Sequence, residues 1–389
     1  MAPASALHRH QSSLEGIIDY SLRPSLSSAH RASASRRFYQ LINHFDGDKG
    51  SNDKYDELKL VRYTYEFSIS QESRDHFLYA LFASAGIPIL ADDDIDLSDS
   101  TREAELRKSL VDFAKYLFEN FFLPLKASTK KTPQPSPASH SAVMRTQGQG
   151  QEFAGTPERI ATLRRACLIR DRYRCVISRR FDQNEALRRL LVQQRGGSLA
   201  QDQDGAPLTG EKFEDLEVAH IIPHSLTRVN SSRELDPSKV APLSILNMFD
   251  CGAAYLIEGA EIDRPGNALT LTHNLHMLFG DFRIFFTPVD QQSHTYLIDT
   301  LLPSGFIDGV PVTRTLYLTE ERTIDPPSPR LLAIHSAIAH ILHLSAAGDY
   351  IDDILRDAEE PGAREDGSTE LEHLVRLGLS GWSIGEVRG

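Results

Sequence analysis

The sequence predicts an α+β fold: a small α-helical unit, a linker, and a larger mixed unit built around a strand, a turn and a short helix. Three observations carry this expectation. Apolar residues recur at helical spacing between residues 55 and 127, first in Phe77, Leu78, Leu81 and Phe82, then in Leu106, Leu110, Phe113 and Leu117. A stretch rich in Pro, Gly, Ser, Thr and Gln follows, too poor in apolar residues to order itself. Beyond it, short strand-like runs alternate with helical ones.

In chain order, residues 1–54 read as a polar, disordered N-terminal region; the start is rich in Ser, Ala, Arg and His and lacks the apolar core of a secretory signal. Residues 55–127 are the helical unit. Gly86-Ile87-Pro88 breaks its first helix, Ser98 to Thr101 offer caps for a longer one, and Pro124 is expected to end that helix. Residues 128–156 are the linker. Residues 157–356 form the mixed domain. A helix through Ile160, Leu163 and Leu168 leads into Arg170 to Ser178, read as a short strand followed by a turn, and a second helix runs from Ala186 to Gln194. The strand Leu216 to Ile222 comes next, and further strands lie at Asp281 to Pro288, Tyr296 to Ile298 and Arg314 to Leu318. Pro326-Pro327-Ser328-Pro329 opens a closing helix, whose His335, His340 and His343 read as packing or solvent-facing residues rather than metal ligands. Residues 357–389 are an acidic tail.

Composition narrows the class. With 40% hydrophobic and 25% charged residues over 389 positions, the chain reads as a soluble globular protein of two or three units. No apolar run approaches the length of a membrane span, so no membrane partner is expected. Cys167, Cys175 and Cys251 form no Cys-x-x-Cys pair, which leaves no zinc knuckle and suits an intracellular compartment, nuclear or cytoplasmic. A net charge of −12 argues against nucleic-acid binding over the whole surface. Charge is uneven, however: from Glu158 to Arg195 eleven arginines stand against four acids. Arg170, Arg172, Arg174, Arg179 and Arg180 are the candidate nucleic-acid contacts in that run; a solvated helix surface is the plain alternative.

The candidate chemistry lies between Leu216 and Phe286. His220 ends an apolar strand that Pro223 stops at once. Asn267 sits in the turn Pro265-Gly266-Asn267; His276 follows nine residues on, and Asp281 five further. Phosphodiester hydrolysis needs an activated water, charge neutralisation on the phosphoryl oxygens and stabilisation of the leaving oxygen. A histidine can take the proton from water, and a divalent cation can do the other two jobs. An asparagine carbonyl can orient such a base by accepting its ring N–H.

Arg170 to Ser178, Ala219-His220-Ile221-Ile222-Pro223, Gly266 to Leu271 and His276-Met277-Leu278-Phe279 occur in one order. Together they resemble the HNH endonuclease domain, in a variant common in fungal proteins, over roughly Pro157 to Arg356. The resemblance implies a ββα-metal core, two antiparallel strands and a helix around one divalent ion (Mg²⁺, Mn²⁺ or Zn²⁺), acting on nucleic acid, DNA ahead of RNA. It implies His220 as general base, Asn267 as the middle asparagine and His276 as a metal ligand. Two positions depart from the pattern. Ala219 precedes the base where a ligand is usual, and Gly280 lies four residues after His276 where a second ligand is usual. Asp281 is the expected replacement ligand, with His224 and Glu217 as auxiliaries. The competing reading is a catalytically inactive HNH-fold module that binds nucleic acid or protein.

Overall fold

The structure is a computed structural model, and it describes residues 25–47, 54–129, 157–223, 226, 240–257 and 262–359. Two compact units emerge, each discontinuous in sequence. The first is Met1–Ser128, Ser225–Glu258 and Ala337–Gly389; the second is Thr129–His224 and Gly259–Ser336.

The first unit is helical. It holds α1 (Ser28–Phe45), α2 (Glu57–Glu66), α3 (Gln71–Ser84), α4 (Ser100–Leu117) and most of α5 (Leu123–Thr129). Each of the first four helices starts on a side-chain cap. Ser27, Asp56, Ser70 and Asp99 accept the backbone N–H of His30, Lys59, Ser73 and Thr101, and so satisfy donors that a helix N-terminus leaves open. The helix α1 falls within the 1–54 region expected to be polar and disordered. Its Ala34, Phe38, Leu41, Ile42 and Phe45 are buried at spacings of four, three, one and three, which gives the segment an apolar face despite its Ser and Arg content. Pro124 does not end the helix either. A π-helical turn, Phe118–Phe122, precedes it, and α5 begins one residue before the proline, so the proline occupies a first-turn position that needs no N–H donor.

Aromatic stacking fills this core. Tyr55 stacks on Phe118 at 4.8 Å and on Tyr350 at 5.6 Å, and Phe121 stacks on Phe249 at 5.3 Å. Phe249 belongs to α8 (Val240–Phe249) and Tyr350 to α11 (Ala347–Glu359), so three separate stretches of chain build one core. His340 also packs in this unit, stacked 5.1 Å from Phe67, while His343 is exposed.

The second unit is mixed, in keeping with an α+β class. Its helices are α6 (Pro157–Arg170), α7 (Gln183–Gln194) and α9 (His273–Gly280), together with the first turns of α10 (Pro329–Leu344). Two-residue strands β1 (Phe181–Asp182) and β2 (Phe213–Glu214) pair in parallel. Strands β3 (Leu216–His220) and β4 (Ala268–Thr272) form an antiparallel pair in which His220 faces Ala268 and Glu217 faces Leu271. Strands β5 (Ile284–Pro288), β6 (Thr295–Thr300) and β7 (Val312–Thr315) form an antiparallel meander.

The β3–β4 pair is covered on both faces. Val218 and Ala268 pack with Leu163 and Cys167 of α6. Helix α9 follows β4 without a break and lies across β3, where Glu217 meets its first turn. Thus two antiparallel strands run directly into a helix. His335 of α10 locks the far end of that helix: its Nε2 bonds the Phe279 carbonyl at 3.0 Å and its ring stacks on Phe279 at 3.9 Å.

The expected linker, apart from residues 128 and 129, and the expected tail beyond residue 359 lie outside the described residues. Among the described residues no single helix is long and apolar enough to cross a membrane.

Candidate functional site

His220 is the last residue of β3. Its Nε2 lies 3.1 Å from Oδ1 of Asp263, and the two side chains are 2% and 1% exposed. A carboxylate only accepts, so Nε2 carries the proton and the basic lone pair of the ring is on Nδ1. The other oxygen of Asp263 is 3.6 Å from Nε of Arg159 on α6. Side chains alternate along a strand, so Leu216, Val218 and His220 share the α6 face of the pair.

Asn267 does a different job from the one its position suggested. It was expected to accept the ring N–H of the base. Instead its Oδ1 accepts the backbone N–H of Ile222 at 2.9 Å, and its Nδ2 donates to the carbonyls of Ile222 at 2.8 Å and Ile262 at 2.9 Å. An amide presents a donor and an acceptor in one plane, which matches the two backbone groups of Ile222. Asn267 therefore fastens the chain just after His220 to the chain just before Asp263. The ring's partner is the carboxylate four residues upstream of it.

The opposite face of the strand carries Glu217 and Ala219. Glu217 is bridged by two histidines of α9: His276 Nδ1 is 2.6 Å from Oε2, and His273 Nδ1 is 2.9 Å from Oε1. Burial works to raise the Glu217 carboxyl, but the hydrogen bonds from His276 and His273 outweigh it and hold the group below the usual carboxylate range. Burial lowers His276, more than its hydrogen bond to Glu217 raises it. At neutral pH the pair is thus a carboxylate accepting from a neutral imidazole, with the His276 lone pair on Nε2. Such a bond fixes the ring and raises its basicity as a ligand.

The expected ligand set does not gather around one point. His276 takes its carboxylate from Glu217, whereas Asp281 closes α9 as its C-cap, its N–H bonded to the Met277 carbonyl at 2.9 Å. His224 lies outside the described residues. Among those described, no group of three or more His, Cys, Asp or Glu side chains is placed to hold a metal ion. Gly280 has a steric reason for lacking a side chain: a Cβ there would stand 3.0 Å from the backbone oxygen of Thr129.

The arginines divide sharply. Arg170 is buried, with two 2.8 Å bonds to Asp171 and further bonds to the carbonyls of Pro265, Ala268 and Asp325. It ties the end of α6 to the turn before β4 and cannot reach a phosphate, contrary to expectation. Arg174 is committed to Asp202 at 2.8 Å and to the Arg179 carbonyl at 2.9 Å. Arg180 lies 3.5 Å from Glu214. Arg172 and Arg179 share the ring of Tyr317, at 5.0 and 4.3 Å from its centroid.

Sequence reasoning passed over Asp263, His273 and Arg159. Asp263 sits in Asp263-Arg264-Pro265-Gly266-Asn267, where an acid reads as an ordinary turn former. The only signal was its spacing from Asn267.

A strand pair that runs straight into a helix, with a buried imidazole at the strand end and a second imidazole on the helix, defines a histidine-bearing α+β unit. Residues 175–287 match the family model described as HNH endonuclease. That family points to nuclease-type activity and nucleic-acid binding in general terms. No curated protein and no solved structure matches the chain.

Proposed function

We propose that the HNH segment hydrolyses phosphodiester bonds of nucleic acid, DNA ahead of RNA, inside the cell, with His220 as general base. The observation that supports this best is the His220–Asp263 pair on the motif strand. Water attacking phosphorus must lose a proton, and Nδ1 of His220 is the basic atom that takes it. As the ring becomes an imidazolium, Asp263 at 3.1 Å stabilises the new charge and keeps the tautomer fixed. Asn267 contributes by holding both ends of this pair in register.

HNH endonuclease domains commonly use a divalent metal ion. His276, with its Nε2 lone pair, suits one coordination position, but the described residues supply no three-ligand group. The donor set does not fit a preformed site.

The second reading is a non-catalytic module for nucleic-acid or protein binding. It draws support from Ala219, from the crowded Gly280 and from the 2% exposure of the His220 side chain, since a base must meet water. One experiment separates the two: supercoiled plasmid is incubated with wild-type protein and His220→Ala, with Mg²⁺, Mn²⁺ or Zn²⁺ added singly or with chelator. Nicking by wild type alone supports hydrolysis by His220. Equal nicking by both proteins removes His220 from the mechanism, and nicking by neither supports the binding module.

A further inference from the structure

Around Tyr317 the second unit gathers positive charge that its own carboxylates do not balance. Arg179 donates through Nη2 to the Thr315 carbonyl at 2.6 Å, which sets its guanidinium one residue from Arg314. Arg314 donates through Nε to the Ile177 carbonyl at 2.8 Å. Among the described residues neither arginine pairs with a carboxylate, and Arg172 pairs with Asp204. Nη1 of Arg179 is buried and has no hydrogen-bond partner among them. Buried polar atoms of this kind are rare, because each forfeits its hydration. Burial lowers the basicity of Arg179; Tyr317 works against this and Arg314 with it.

The backbone is set for this arrangement. Arg172, Tyr173 and Arg179 have φ of 56°, 56° and 62°, in the left-handed region that such side chains seldom adopt. With guanidiniums at 4.3 and 5.0 Å from its centroid, the Tyr317 ring serves as a shelf for arginine.

We propose that Arg179 and Arg314, with Arg172 on the same tyrosine shelf, form a contact site for the phosphodiester backbone of nucleic acid. The choice of ligand rests on the nucleic-acid reading above; the anion preference rests on the charge cluster itself. Guanidinium groups fork onto phosphate oxygens, and the part-exposed side chains of Arg179 and Arg314 stand here without a carboxylate partner among the described residues. Backbone contacts of this kind position a strand without reading its sequence.

The test is fluorescence anisotropy with a labelled mixed-sequence DNA duplex, using His220→Ala as parent so that no cleavage intrudes. Arg179→Gln and Arg314→Gln should each weaken binding about tenfold near 0.1 M salt, and should lower the slope of log K against log salt by about 1. Arg179→Lys should recover much of the loss. Arg188→Gln is the control, since Arg188 is exposed and paired with Glu185, and should bind like the parent. Circular dichroism checks that each variant is folded, and Arg314, held by one carbonyl, gives a second variant should Arg179→Gln misfold. Parental affinity in both glutamine variants overturns the proposal. So does a parent that binds no DNA, or poly-glutamate competing as well as DNA does. If the glutamine variants bind normally while wild type still nicks plasmid, this site is wrong and the nuclease reading stands. If they lose binding while wild type nicks nothing, the reverse holds.

Discussion

Replacing Asp263 by asparagine keeps the shape of the side chain and removes its charge. In the folded protein the Asp263 carboxylate meets Nε2 of His220 at 3.1 Å, with both side chains almost fully shielded from water. A buried hydrogen bond to a charged partner contributes about 1.5–3 kcal/mol. During proton transfer this bond strengthens, because the ring gains a charge that a carboxylate stabilises and an amide does not. If the full amount is felt in the transition state, the rate falls by roughly 10- to 150-fold, at about 1.4 kcal/mol per factor of ten. Single-turnover nicking of plasmid, with protein in excess, reads the chemical step directly. ¹⁵N NMR of the imidazole supplies a readout that does not depend on cleavage: the Nε2–H tautomer should dominate in the parent and lose its preference in Asp263→Asn. A variant that nicks at the parental rate and keeps the same tautomer would refute the idea that Asp263 orients His220.

Asn267→Ala should destabilise the second unit by about 3 kcal/mol in urea, because it strips partners from the N–H and C=O of Ile222 and the C=O of Ile262, all buried; a loss below about 1 kcal/mol would mean that Asn267 is not the clamp. Gly280→Asp, which restores a carboxylate at the usual ligand position, should cost about 1–3 kcal/mol through the contact with the Thr129 oxygen and should leave melting insensitive to Mn²⁺ or Zn²⁺; metal-dependent stabilisation would contradict the steric account. His335 is fully buried and its imidazole is pushed down to about 3 by desolvation, against which the Phe279 carbonyl works only weakly. Between pH 3 and the ordinary histidine value the unfolded chain therefore binds the extra proton, so stability is complete above about pH 6.5 and falls as pH drops, by about 2 kcal/mol from pH 7 to 5; His335→Phe should remove that part of the slope in urea titrations.

Much of the hairpin was legible because local rules govern it. A strand ended by Pro223 and a turn at Pro265-Gly266-Asn267 announce themselves in sequence, as does the helix after Thr272. What stayed hidden depends on register. That Glu217 serves two histidines of α9 follows from which strand residue faces the helix's first turn, and no spacing rule connects positions 217, 273 and 276. Asp263 was hidden for the same reason: it precedes a proline turn, and only pairing of β3 with β4 carries it to His220. Arg170 misled because a run of arginines looks solvated, whereas one carboxylate next in sequence and three carbonyls from distant turns let this one be buried. Pro124 misled because helix-breaking rules assume a regular α-helix, and the wider turn at residues 118–122 leads into the proline without ending the helix. The helix α1 was missed because serines and arginines dilute an apolar face that is nonetheless continuous.

The helical unit draws its aromatic core from three places along the chain, and this bears on how the protein is made and cut. Phe121 cannot find Phe249, nor Phe118 find Tyr350, until synthesis has passed those later residues. The aromatic core of the amino-terminal helices is therefore completed only as those later stretches are made. A recombinant fragment stopping near residue 128 would expose those phenylalanine rings and would tend to aggregate, however well its own helices are capped.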